Sequence, residues 1–235
     1  MLLDTYLFFR VPLVRPAAFL QRTLPRVQPL FSTAALVTLI TLALINLFFV
    51  ARQFDAFWAT FLDFLSLEGL IAYAIGLSVV KIVHELGHAY VATRYGCRVP
   101  TMGVAFLLMW PVLYTDTTGA WALRSRRQRL AIDMAGVSAE LVVAVLATSA
   151  WLLLPDGALR STAFVLATSS WVLSIGVNIN PFMRFDGYYV LSDWLDVPNL
   201  QPRAFALMGW QLRRWLFALP DAPPERLPAR LHWGL

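Results

Sequence analysis

The feature that most limits this chain is an apolar run, from about Glu68 to Tyr95, that is long enough to cross a bilayer yet carries Lys81, His84, Glu85 and His88. A helix rises about 1.5 Å per residue, so about 20 residues cover the hydrocarbon core. Ionisable side chains at that depth are costly and mark a function, because they face a protein interior or a hydrated cavity rather than lipid. His84 and His88 stand one turn apart on a single helix face, separated by about 6 Å along the axis. Both imidazoles of such a pair reach one Zn²⁺ at about 2.0 to 2.1 Å. Glu85 then lies beside the metal, placed to take a proton from water and pass it to a leaving amine. The His-Glu-x-x-His pattern therefore points to a hydrolytic zinc site, with a peptide carbonyl as the natural electrophile. Histidines used merely as packing groups do not explain three ionisable residues within five positions of a span.

Composition agrees with a membrane setting. The 235 residues are 59% hydrophobic and 14% charged, whereas soluble domains carry about a quarter charged residues. The net charge of +5 is nearly all arginine, with Lys81 the sole lysine. These arginines sit in the connections between apolar runs, a pattern of topology signals and anionic headgroup contact that excludes a nucleic-acid partner. The single Cys97 excludes an internal disulfide and a multi-cysteine zinc knuckle.

The expected fold is an all-α membrane protein of about four transmembrane helices, with a short re-entrant or β-like segment between spans two and three. Span one runs from about Leu30 to Val50, span two from about Glu68 to Tyr95, span three from about Leu130 to Leu154, and span four from about Ser161 to Asn180, where Pro181 stops it. The aromatic and acidic stretch 54–67 reads as an interfacial connection. Val99 to Tyr114 is β-prone but short for a spanning helix, so a re-entrant segment or membrane-level strands are expected there. The organisation read from this is an N-terminal segment over 1–29, an intramembrane core over 30–200, and an amphipathic helix with a proline-rich tail over 201–235. No h-region with a small-residue cleavage site precedes span one, which is expected to act as a retained signal anchor. Arginines crowd before span one, between spans two and three, and after span four, which assigns both termini and the middle loop to the cytoplasm.

A catalytic zinc takes three protein ligands and leaves a position for water. His232 lies in the tail, so the third ligand is expected to be a carboxylate, with Asp116, Asp133, Glu140 and Asp186 as the choices. Counting depth along the spans puts His84 and His88 near the cytoplasmic edge, and span four brings Asp186 to that edge. Glu140 falls nearer mid-membrane. Geometry therefore favours Asp186. Lys81 lies on the histidine face at a depth close to that of Glu140, so it either pairs with Glu140 or lines a hydrated cavity. Gly136 reads as a close-packing position between helices.

Three segments together resemble the site-2 protease family of intramembrane zinc metalloproteases. They are His84 to His88, Ala135-Gly136-Val137-Ser138-Ala139-Glu140, and the stretch from Asn178-Ile179-Asn180-Pro181 through Phe185-Asp186-Gly187-Tyr188-Tyr189. With Leu191-Ser192-Asp193-Trp194-Leu195, the last segment is most similar to the bacterial branch of peptide zinc metalloproteases. The likeness covers roughly residues 70 to 200. It implies His84, His88 and Asp186 as zinc ligands, Glu85 as catalytic acid/base, and Asn178 or Asn180 near the substrate or oxyanion. It also implies a peptide or transmembrane-segment substrate, an export or adaptor partner, and a multi-pass location in the bacterial inner membrane. Two departures stand out. Glu140 occupies the place where the family often has Asn in a Gly-Pro-x-x-Asn motif. Members of the peptide branch also usually continue with more spans and an adaptor-like region, so this chain is expected to be a fragment or a reduced member.

Two other function classes compete. A non-catalytic membrane subunit that binds zinc or a peptide during export has no use for Glu85 beside the metal, and a membrane di-iron oxygenase needs more histidines than three. The topology itself is testable through Cys97, which lies just beyond span two between arginines that assign it to the cytoplasm. A membrane-impermeant maleimide should label Cys97 in inside-out vesicles and leave right-side-out cells unlabelled, with a denatured control to report a covered thiol. Labelling only from outside would invert the topology.

Overall fold

The computed structural model describes residues 8–64, 66–107, 110–217, 222 and 224. Strand β1 (Phe8–Val14) leads through helix α1 (Ala17–Val27) to α2 (Thr33–Arg52), the first of four helices long and apolar enough to cross a membrane. Ser32 caps α2 by accepting from the Ala35 N–H at 3.1 Å. The helix exposes Leu36, Leu44 and Leu47, the side chains expected to face lipid. Its buried Asn46 ties it to the third spanning helix, donating to the Val145 carbonyl at 2.8 Å and accepting from Ser149 at 3.1 Å. Helix α3 (Phe54–Asp63) fills most of the expected interfacial connection.

The second spanning helix, α4 (Leu67–Arg94), begins at Ser66, whose hydroxyl accepts from the Gly69 N–H. It ends in a Schellman turn. Gly96, at φ +79°, donates to the Thr93 carbonyl while Cys97 donates to Ala92. That turn sends the chain into β2 (Met102–Leu107) and β3 (Trp110–Thr115), an antiparallel pair. Of the two expectations for this stretch, strands are the one realised. The N-terminal segment supplies the third strand, β1, on the other side of β2, so the order is β1-β2-β3. Cys97 is half-buried, and burial pushes its thiol pKa up, so maleimide labelling should speed up as pH rises.

The basic segment folds as a separate helix, α5 (Arg126–Asp133), and the third spanning helix, α6 (Ala135–Leu153), starts only after Met134. The start expected near Leu130 is therefore displaced. Arg126, Arg127 and Arg129 make α5 strongly amphipathic, and the mainly apolar run that contains Glu140 begins at Ala135. The fourth span is α7 (Ala158–Trp171) continued by a π-helical turn (Val172–Asn178). It opens a few residues before the expected Ser161. Helices α4, α6 and α7 pack on one another. At their crossing, a Cβ on Gly87 would lie 2.6 Å from the Ala135 carbonyl, so the α4 and α6 backbones approach as closely as they do only because residue 87 has none. One apolar cluster, with Leu20, Ala89, Ala92, Val99, Ile132 and Ala135, surrounds the C-terminal end of α4. Another gathers Trp151 and Phe164 with Phe57, Phe61 and Phe64.

Helix α8 (Asp186–Leu195) follows the turns after Pro181. Residues Leu191–Leu235 form a second unit, whose main described element is α9 (Leu200–Phe217), with the Arg214 guanidinium 5.5 Å over the Trp210 ring. His232 and all of the proline-rich tail except residues 222 and 224 lie outside the described residues.

Candidate metal centre

The histidine spacing on α4 does what a helical repeat requires of it. The His84 and His88 rings meet edge to face with centroids 4.8 Å apart, and their Nε2 atoms are 3.1 Å from each other. Asp186, at the first position of α8, faces both rings. Its Oδ2 lies 3.3 Å from His84 Nε2 and its Oδ1 3.4 Å from His88 Nε2. One ligand atom from each of the three residues falls within 4.8 Å of the other two. Asp186 reaches this place because the chain folds back tightly after Asn180: a Cβ on Gly187 would meet the Ile179 carbonyl at 2.2 Å.

These donors suit a zinc ion. Ligands 2.0 to 2.2 Å from one ion at tetrahedral angles stand about 3.3 to 3.6 Å apart, close to the 3.1 to 3.4 Å separations found here. Asp186 Oδ2 is buried and makes no aligned hydrogen bond, a cost for a carboxylate that a cation would remove. Gly136 completes the cradle. A Cβ there would lie 2.5 Å from His84 Nε2 and 2.5 Å from His88 Nε2, so only a glycine leaves the space in front of both nitrogens open. The close-packing role expected of Gly136 is thus directed at the histidine rings themselves.

Both rings are also held from behind. His88 Nδ1 is 2.7 Å from the Ile132 carbonyl, one of those left available by the last turn of α5. Donating Nδ1–H there leaves Nε2 with its lone pair toward the cluster. His84 Nδ1 is buried and makes no aligned hydrogen bond, and Glu140 Oε1 stands 2.8 Å from it. Lys81 lies 3.3 Å from Glu140 Oε1, so of the two expectations for Lys81 the ion pair is found. Lys81 also donates to Asn178 Oδ1 at 3.0 Å.

Glu85 is half-buried and lines a groove of about 440 Å³ whose walls include Leu13, Phe19, Ile82, Met102 and Leu113. Its backbone carbonyl accepts from the Thr115 hydroxyl at 3.1 Å, which ties the end of β3 to the helix turn that carries the histidines. Among the carboxylates considered for the third ligand, Asp186 joins the histidines and Glu140 touches His84 on its other nitrogen. Asp116 instead accepts from the Thr118 N–H and hydroxyl in a local turn, and Asp133 is outside the three-residue group. Asn178, expected near substrate or oxyanion, is buried with its amide committed to Glu140 and Lys81. Asn180 accepts from the Phe182 N–H at 2.9 Å and shapes the loop before Asp186. Sequence reasoning missed the Ile132 carbonyl and the Thr115 contact, both of which involve backbone carbonyls that carry no residue-type signal.

The cradle predicts a sharp effect from one methyl group. Gly136→Ala, which improves helix propensity, should leave helical content unchanged by circular dichroism while reducing bound zinc in the purified protein to well below one per chain. Full zinc occupancy in that variant would show that the space before the rings is not where the metal sits.

Residues 72–176 match the family model described as Peptidase family M50. No curated protein and no solved structure matches the chain. Members of this family are zinc metalloproteases, in keeping with the donor set. The matched stretch contains His84, Glu85, His88, Gly136 and Glu140 and ends before Asn178 and Asp186, whose positions rest on the geometry above. The stretch that carries the His-Glu-x-x-His helix and the two helices packed on it is therefore similar to Peptidase family M50, the site-2 protease family.

Proposed function

We propose that this protein is an intramembrane zinc endopeptidase acting on membrane-embedded or membrane-associated peptides, with His84, His88 and Asp186 as metal ligands and Glu85 as acid/base. The observation that carries the proposal is the convergence within 4.8 Å of Asp186 with the two histidines of α4, where Glu85, the residue after His84, lines an apolar groove. Bound zinc would supply Lewis-acid chemistry, polarising the scissile carbonyl and lowering the pKa of water. Glu85 takes the proton from the attacking water and delivers it to the leaving nitrogen, a role that needs a carboxylate beside the metal but not bound to it. The groove accommodates apolar side chains, consistent with a substrate drawn from a membrane segment.

A helical segment hides its peptide bonds in its own hydrogen bonds, and unwinding it inside a bilayer leaves donors and acceptors unsatisfied. Strand β3 offers a remedy. Among the described residues it pairs with β2 alone, and Leu113 and Tyr114 at its end line the groove beside Glu85. An extended substrate can therefore add to a sheet edge while its side chains enter the groove. The arginine bias puts this opening near the cytoplasmic edge of the bilayer.

Metal content and turnover separate the roles. Glu85→Gln should keep near-stoichiometric zinc and lose cleavage of an apolar fluorogenic peptide in proteoliposomes, whereas His84→Ala or His88→Ala should lose the metal. Asp186→Asn should lower zinc occupancy far more than Glu140→Gln. Retained turnover in Glu85→Gln, or zinc loss equal to that of the histidine variants, would refute the assignment. Peptide binding without hydrolysis by the zinc-loaded wild type would instead favour a non-catalytic binding subunit.

A further inference from the structure

A carboxylate with no solvent exposure lies behind one of the two histidines, and nothing in the peptide chemistry above uses it. Glu140 is 0% exposed on α6, within the bilayer. Its Oε2 accepts from the Ser174 hydroxyl at 2.7 Å, and the Asn178 amide donates to both of its oxygens at 2.7 Å. Lys81 approaches Oε1 at 3.3 Å and His84 Nδ1 at 2.8 Å. Each of these four groups is able to donate a proton to the carboxylate. Ser174 and Asn178, four residues apart in the π-helical turn, both point at it.

The two histidines are consequently held differently. His88 is backed by a neutral carbonyl, Ile132, whereas His84 is bracketed between Asp186 at Nε2 and Glu140 at Nδ1. Lys81 lies one turn before His84 on the same helix, and a lone cation there would oppose a divalent ion nearby. Glu140 cancels that charge, and Lys81 in turn compensates a carboxylate that could not otherwise stay charged away from water.

We propose that Glu140 is a positioning residue for the metal centre: it accepts Nδ1–H of His84 in the zinc-loaded site, fixing the tautomer that presents Nε2 and raising the ring's strength as a ligand, while Lys81 serves as its counter-ion. The proposal rests on the assignment of His84 as a zinc ligand. The misalignment at Nδ1 is no obstacle, since hydrogen bonds in a site of this kind tighten when it is loaded. Carboxylates behind ligating histidines act in this way, and removing one weakens metal binding by about 10- to 100-fold.

The test measures zinc affinity by chelator competition, alongside the melting temperature of metal-free protein, in Glu140→Gln, Lys81→Met and the double variant. Gln keeps the shape and can still accept from His84, so Glu140→Gln reads the charge. Zinc affinity should fall about 10- to 100-fold in Glu140→Gln. Lys81→Met should lower the melting temperature by leaving Glu140 uncompensated, and the double variant should regain stability yet keep the weakened zinc affinity. If Glu140→Gln alone does not fold, the double variant, neutral at both positions, supports the same comparison. Wild-type zinc affinity in either Gln-containing variant would overturn the proposal, as would an affinity loss in Glu140→Gln that the double variant repairs along with stability, which is the behaviour of a purely structural ion pair. If His84→Ala binds zinc normally, the ligand assignment itself fails, an outcome separate from the result at Glu140.

Discussion

The close approach of α4 and α6 is the constraint on which the rest of this structure depends. Gly87 lets the Ala135 carbonyl come against α4, and Gly136, one residue further along α6, lies over the two histidine rings. Helices in lipid gain little from burying apolar surface against each other, so their association relies on close packing and on polar contacts that packing brings within reach. Once the two backbones are this close, His84 meets Glu140 and His88 meets the Ile132 carbonyl. The space in front of both Nε2 atoms stays open for want of a single Cβ. A wider separation would lose the support behind both rings at once.

Charge is arranged along the same crossing. Lys81, His84, Glu85, His88, Glu140 and Asp186 bring six ionisable groups to one region of a bilayer-spanning core, where each is costly alone. The structure pairs Lys81 with Glu140 and turns Asp186 toward both histidines. Glu85 is turned to the groove. The arrangement separates a hydrogen-bonded half, built from Lys81, Glu140, Ser174 and Asn178, from a half in which the two histidines and Asp186 converge. The second half is the one proposed to hold the metal, and the first packs directly behind it through the contact of Glu140 with His84.

Much of this was legible in the sequence, for reasons that differ by residue. The histidine pair follows from the helical period alone, and Asp186 followed from counting depth along antiparallel spans, since both arguments depend only on rise per residue. The Lys81–Glu140 pair was one of two readings because depth narrows a partner without fixing its rotation about a helix. Strand β1 was not foreseen, as its pairing with β2 joins segments about ninety residues apart and leaves no local signal. The π turn was equally hidden. From it Asn178, which the resemblance suggested near the substrate or oxyanion, donates to Glu140. The start of span three was placed too early because the amphipathic α5 carries apolar residues up to the turn at Met134.

The central claim is that two histidines and one aspartate hold a single zinc ion with room for water, and X-ray absorption at the zinc edge of the purified protein tests it most directly. The account predicts only nitrogen and oxygen neighbours at about 2.0 to 2.2 Å, with the scattering pattern of two imidazoles. A sulfur neighbour at about 2.3 Å would bring in Cys97, and a third imidazole would bring in His232; either result would contradict the assignment of His84, His88 and Asp186.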